Sequence, residues 1–183
     1  MNHKKDIQSR YNATAEGYDR RYRDIQTRKY QLIFKSISIE PTKKVLDIGC
    51  GTGNLFSFLK NIQNEKYGID FSWDSLKKVQ TRVNKDCTIQ IICGDVENLP
   101  FQKDKFDLVL AITTLQNLPD PKKSLEEMKT VCKQDGLIVL SFLKKKFTKE
   151  DTQILLNETQ LIPHQIINDE SCEDLIVICR NKV

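Results

Sequence analysis

Apolar residues recur every three or four positions at the start of the chain, at Ile7, Tyr11, Ala15, Tyr18, Tyr22 and Ile25. That spacing draws one apolar stripe and predicts helix over 7–37, with Gly17 a weak point that could divide it. Pro41 then separates this helical segment from the first strand. Beyond it the pattern changes to short β-branched and aliphatic runs alternating with amphipathic stretches. Strands are predicted near 43–48, 66–70, 88–93, 106–112 and 137–142. Helices are predicted near 54–62, 73–84, 121–132 and 149–160, with two closing strands at Pro163 to Asn168 and Asp174 to Arg180. Alternation with short connections implies an α/β fold, a doubly wound parallel sheet with helices on both faces. At 183 residues, one domain over 1–183 is expected, with a helical segment at 1–40 and a sheet core at 41–183.

The first strand runs into Val45-Leu-Asp-Ile-Gly-Cys-Gly-Thr-Gly53. Glycines here let the backbone turn sharply and approach a ligand closely. A dinucleotide fingerprint, G-x-G-x-x-G, needs glycine six positions from the first, and Asn54 stands there. Asp47 would also repel a pyrophosphate. Its carboxylate suits a ligand with positive groups and no phosphate. Three more acceptors fall at strand ends: Asp70, 21 residues after Gly49, then Asp95 and Thr113. Ligands of open α/β sheets bind beyond the carboxyl ends of the strands, so all four converge on one crevice.

Taken together, the 45–53 loop, Tyr67-Gly-Ile-Asp70, Gly94-Asp-Val-Glu-Asn-Leu-Pro-Phe101 and Phe106-Asp-Leu-Val-Leu-Ala-Ile112 resemble the class I S-adenosylmethionine-dependent methyltransferases. The resemblance implies a Rossmann-like sheet of order 3-2-1-4-5-7-6 with strand 7 antiparallel, and S-adenosylmethionine as cofactor. It also implies site residues. Gly49, Cys50, Gly51 and Gly53 would line the methionine part, with Asp47 near its ammonium. Asp70 would take the ribose hydroxyls and Phe71 would pack on the adenine. Asp95 and the Val96 backbone would meet the adenine edge, with Thr113 closing the crevice. Tyr11 and Tyr18, in a Tyr-x-x-x-Ala-x-x-Tyr-Asp pattern, would belong to an N-terminal helical lid. On the acceptor side, Gln116 and Asn117 are the polar candidates for orienting a substrate. The family's Asn/Asp-Pro-Pro-Tyr motif is absent there, which counts against amide-nitrogen or adenine methylation.

Charge alters the picture of partners. The net charge is +4, but residues 1–44 carry +6, from 11 Lys/Arg against 5 Asp/Glu. Arg20, Arg21, Arg23, Lys122, Lys123, Lys144, Lys145 and Lys146 are predicted to rim the crevice and to attract an anionic acceptor. The leading expectation is therefore a macromolecular substrate, RNA or acidic protein, with a partner subunit also in view. The alternatives are a small metabolite, or an inactive cofactor-binding subunit. Six cysteines without C-x-x-C give no metal or redox signature and read as reduced core residues. His164, in the sixth strand, reads as structural, and His3 lies in a tail. No apolar run approaches membrane-spanning length and none follows the start, so neither a membrane span nor a signal peptide is expected. A cytoplasmic location is expected accordingly.

Overall fold

The computed structural model describes residues 23–83 and 88–182. A helix occupies residues 23–36 (α1), and the chain then alternates. The elements are β1 (Val45–Ile48), α2 (Asn54–Phe58), β2 (Lys66–Asp70), α3 (Trp73–Val83), β3 (Ile89–Cys93) and β4 (Phe106–Ala111). After a 3-10 turn at Leu115–Asn117 come α4 (Pro121–Val131), β5 (Cys132–Leu143), α5 (Lys149–Glu158), β6 (Pro163–Ile167) and β7 (Asp174–Arg180). The strands form one sheet in the order β3-β2-β1-β4-β5-β7-β6. Pairing is parallel from β3 through β5, and β7 runs antiparallel to both β5 and β6. The expected order and the reversed seventh strand are both present.

Side chains that alternate along each strand supply two cores. Leu46, Ile48, Val109, Ile138, Leu140 and Val177 face α4 and α5, packing on Leu125, Met128, Leu155 and Leu156. Val45, Leu108, Leu110, Val139, Ile176 and Ile178 face the opposite side, on Leu55 and Leu59 of the α2 region and on Tyr30 and Ile33 of α1. Burying Tyr30 and Ile33 is worth about 1.5–3 kcal/mol each, so α1 is a core element over its described length.

Local chemistry sets the helix starts. Asp120 caps α4 by accepting from the Lys123 backbone N–H, with Pro121 at the first helical position. Thr148 and Asp151 make a reciprocal capping box on α5. Two expected elements differ in extent. α2 ends at Phe58 rather than near residue 62: Leu59 leaves the helical conformation at φ −89°, ψ 14°, and the Ile62 N–H closes a tight turn on Leu59 O at 3.0 Å. β5 begins at Cys132 rather than near 137. Its pairing to β4 shifts register between Phe106 and Leu108, with Asp135 at φ 59° absorbing the irregularity. Among the described residues no helix is long and apolar enough to cross a membrane. The five described cysteines are free thiols, and only Cys93 is exposed.

Candidate functional site

β1 ends in the middle of the sheet, between β2 and β4. The loop that leaves it is built on contacts that tolerate no side chain. At Gly49, φ is +70°, and a Cβ would lie 2.6 Å from both Thr114 Cγ2 and Oγ1. Thr114 in turn donates from Oγ1 to Ile48 O at 3.0 Å and stands 3.2 Å from Ile112 O, riveting the ends of β1 and β4. At Gly51, φ is +52°, and a Cβ would meet nothing within 4 Å. The loop thus packs on protein at Gly49 and faces open space at Gly51. Cys50 turns inward and is buried. It fits because Gly68, one strand over, has no Cβ; one there would come 2.8 Å from Cys50 Sγ. Burial, then the charges of Asp70 and Asp47, push the Cys50 thiol well up, so it is a protonated packing group. Gly53 caps the short α2.

Asp70 closes β2 and is tied to the same loop. Its Oδ2 accepts from Gly51 N at 2.8 Å and its Oδ1 from Ser72 N at 2.8 Å. The Phe71 backbone N–H is a third donor to this carboxylate, which leaves about one of its four lone-pair sites. Burial raises this carboxyl above the ordinary range, against the lowering pull of backbone N–H groups. Phe71 follows directly, half-buried. Asp47 is 4% exposed, and no hydrogen bond reaches its carboxylate among the described residues. Burial and the nearby Asp70 charge hold it well above the ordinary carboxylate range. An uncompensated carboxyl in low dielectric is costly, and a cation placed beside it would remove that cost. S-adenosylmethionine, with an ammonium and a sulfonium, fits these residues: open space at Gly51, an unpartnered acid at Asp47, and spare acceptor capacity at Asp70.

Asp95 lies after β3, with Oδ1 accepting from Glu97 N at 3.0 Å and Oδ2 from Asn98 Nδ2 at 3.1 Å. It shapes its own turn as well as facing the crevice end of the sheet. The Val96 side chain is buried in the core, and its carbonyl accepts from Ser124 Oγ at 3.1 Å. Thr113 is placed differently from a crevice-lining hydroxyl. Its Oγ1 accepts from Lys29 Nζ at 2.7 Å and from Gln26 Nε2 at 3.2 Å, and stands 3.3 Å from Asp174 Oδ2. Gln116 and Asn117 lie in the 3-10 turn beyond it. Gln116 Oε1 is buried with no partner among the described residues. Asn117 donates to Thr113 O at 3.3 Å and receives Lys146 Nζ at 3.4 Å. Tyr11 and Tyr18 lie outside the described residues, as do Arg20 and Arg21.

Four lysines of the predicted basic rim, Lys122, Lys123, Lys144 and Lys146, make contacts within the protein. Lys144 Nζ holds the carbonyls of Asp169 and Cys172, each at 2.9 Å. Lys123 reaches Asn98 Oδ1 at 3.0 Å, and Lys122 sits 3.6 Å from Glu158. His164 is exposed on the edge strand β6. Sequence reasoning passed over Gln26, Lys29, Ser141 and Asp174. The available signal was polar residues interrupting the apolar stripe of α1, and an acid opening the apolar run of β7.

Residues 46–140 match the methyltransferase domain family. Among curated relatives, the demethylmenaquinone methyltransferase of Staphylococcus saprophyticus is 36% identical over 111 residues, 58% of this chain and 47% of that protein. The chain spans about half the length of the curated relatives it matches. Solved structures agree over nearly the whole fold. A chain of the Haloferax volcanii complex between the Trm112 methyltransferase activator and a methyltransferase superposes with TM-score 0.81 at 16% identity, covering 94% of this chain and 98% of that one. Magnesium protoporphyrin IX methyltransferase from Synechocystis, with S-adenosylmethionine bound, gives 0.78 at 17% identity, covering 100% and 98%. With a glycine loop, two strand-end aspartates and a reversed seventh strand in common order, the chain belongs to the methyltransferase domain family.

Proposed function

We propose that the protein is an S-adenosylmethionine-dependent methyltransferase whose acceptor is a small, uncharged molecule. The observation that carries the acceptor class is the use of the rim: Lys122, Lys123, Lys144 and Lys146 bind groups of the fold itself. A polyanion would have to compete for them. The acceptor-side turn instead offers amides, including the unpartnered Gln116 Oε1. Relatives named for demethylmenaquinone, a small-molecule acceptor, favour the same reading.

In this reading Asp47 receives the cofactor's ammonium, and the loop from Gly49 through Cys50 and Gly51 to Gly53 lines its methionine part. Asp70 accepts from the ribose hydroxyls beside its backbone donors. Phe71 packs on the adenine, Asp95 takes its amino group, and the Val96 backbone lies beside the ring. Thr113 contributes through its backbone position. Gln116 and Asn117 orient the acceptor. The bound cofactor supplies a methyl group on a sulfonium, a good leaving group. The chain's share of catalysis is alignment and exclusion of water. A second reading is a catalytic subunit that acts on a macromolecule; the Haloferax complex favours only its other part, an activating partner.

Labelled-methyl transfer from the cofactor into cell extract separates the two. Label is expected in the organic-soluble small-molecule fraction, with a Michaelis constant insensitive to salt. Incorporation into RNA or protein, weakening steeply with salt as counterion release requires, would overturn the small-acceptor reading.

A further inference from the structure

Lys29 and Asp174 form an ion pair inside the protein, 2.9 Å apart, with side chains 2% and 0% exposed. The ammonium comes from α1 and the carboxylate from the first residue of β7. Both converge on Thr113, the second residue beyond β4. Lys29 donates to Thr113 Oγ1 at 2.7 Å, and Gln26, one helical turn earlier, donates to the same oxygen at 3.2 Å. With both acceptor positions of the hydroxyl filled, its proton is directed to Asp174 Oδ2. Ser141 of β5 accepts from Thr113 N at 2.8 Å and donates to Asp174 Oδ2 at 2.7 Å. Asn117 Nδ2 holds Thr113 O. Every polar group of Thr113 is therefore occupied.

The residue held this way is strained. Thr113 has φ 60°, a left-handed conformation that a β-branched side chain adopts only when its surroundings over-determine it. Its neighbour Thr114 fills the space beneath Gly49. The next three residues are the turn that carries Gln116 and Asn117.

Docking α1 does not by itself call for these charges. Tyr30 and Ile33 already bury the helix, and Arg28 pairs with Asp169 at 3.3 Å on the β6–β7 loop. A buried ion pair is often no more stabilising than apolar side chains of similar volume. We infer that Lys29 is a positioning residue: paired with Asp174, it clamps Thr113 in its left-handed conformation, and so sets both the floor under the cofactor loop at Gly49 and the direction of the acceptor-side turn. The clamp rests on the reading of this crevice as the S-adenosylmethionine site.

The test is calorimetric titration of the full chain with S-adenosylmethionine, alongside thermal melting. Lys29→Met alone strands Asp174 and is expected to melt early. The double variant Lys29→Met/Asp174→Leu replaces the pair by apolar groups and is expected to regain most of the melting temperature, yet to bind the cofactor at least about tenfold more weakly. Thr113→Val keeps the β-branched side chain at φ 60° but removes the hydroxyl that Lys29, Gln26 and Asp174 hold, and is expected to fold and to show a similar loss. Combining it with the double variant should add little further loss, since the residues act as one unit. Wild-type affinity in a folded double variant, or in Thr113→Val, would overturn the clamp. Should the double variant not fold, Thr113→Val decides. Absence of binding by the wild type would instead overturn the site itself.

Discussion

Replacing Asp70 with Ala is expected to weaken S-adenosylmethionine binding by at least about a hundredfold, since charge-assisted hydrogen bonds are worth roughly 1.5–3 kcal/mol each and two ribose hydroxyls are at stake. The structure adds a second loss. Asp70 also accepts from Gly51 N and Ser72 N, so its removal frees the glycine loop from β2. The variant should nevertheless fold, because the strand beneath is held by the β1 and β3 ladders. Asp70→Asn sharpens the test. An amide presents one acceptor oxygen and one NH2 group, so it cannot satisfy both backbone donors at once. It too should bind poorly. Titration calorimetry on both variants measures the effect, and an unchanged dissociation constant would reduce Asp70 to a turn residue.

Gly49 and Gly51 should fail in opposite ways when each is changed to Ala. At Gly49 the new methyl would meet Thr114 at 2.6 Å. Overpacking of this kind costs about 1–3 kcal/mol, and the positive φ adds about 1–3 kcal/mol more. The expected result is a melting temperature lower by several degrees. A Thr114→Ala background should recover part of the loss, because the steric share disappears and the backbone share remains. At Gly51 there is no clash, only the backbone cost of about 1–3 kcal/mol. The methyl instead projects into the open crevice. Gly51→Ala should therefore melt less far below the wild type than Gly49→Ala, and bind S-adenosylmethionine at least about tenfold more weakly. Thermal melting and calorimetry distinguish the two defects. Equal stability losses with equal retained affinity would show that neither glycine faces a ligand.

The sheet was legible because each strand announces itself by a short apolar run that ends at a turn. β2 and β7 fall on their expected residues, Lys66–Asp70 and Asp174–Arg180. The relation among Asp47, Asp70 and Asp95 was legible for a topological reason: parallel strands bring their carboxyl ends to one side wherever the intervening helices lie. What stayed hidden depends on pairings with no periodic trace. Lys29 meets Thr113 across 84 positions, and its charge on the apolar stripe of α1 reads as a solvated group unless Asp174 is known to lie opposite. The internal contacts of Lys144 stayed hidden for a similar reason. Lys144 binds backbone carbonyls of Asp169 and Cys172, and carbonyls carry no sequence signature. The early end of α2 is set by the turn toward β2, which local propensity does not encode.

In the proposed cofactor site, Asp47, buried beside the glycine loop, would receive the cationic end of S-adenosylmethionine. The most direct measurement is calorimetric titration of the wild type and Asp47→Asn with S-adenosylmethionine and with NAD, from about pH 5 to about pH 8. Burial and the Asp70 charge raise the Asp47 carboxyl well above its ordinary value in the free protein. Binding a cation favours the ionised form, so affinity for S-adenosylmethionine should increase as pH rises through that raised value and then level off. Asp47→Asn should bind more weakly and lose that dependence, and NAD should not bind. NAD binding without S-adenosylmethionine binding, or wild-type affinity and pH dependence in Asp47→Asn, would contradict this role for Asp47.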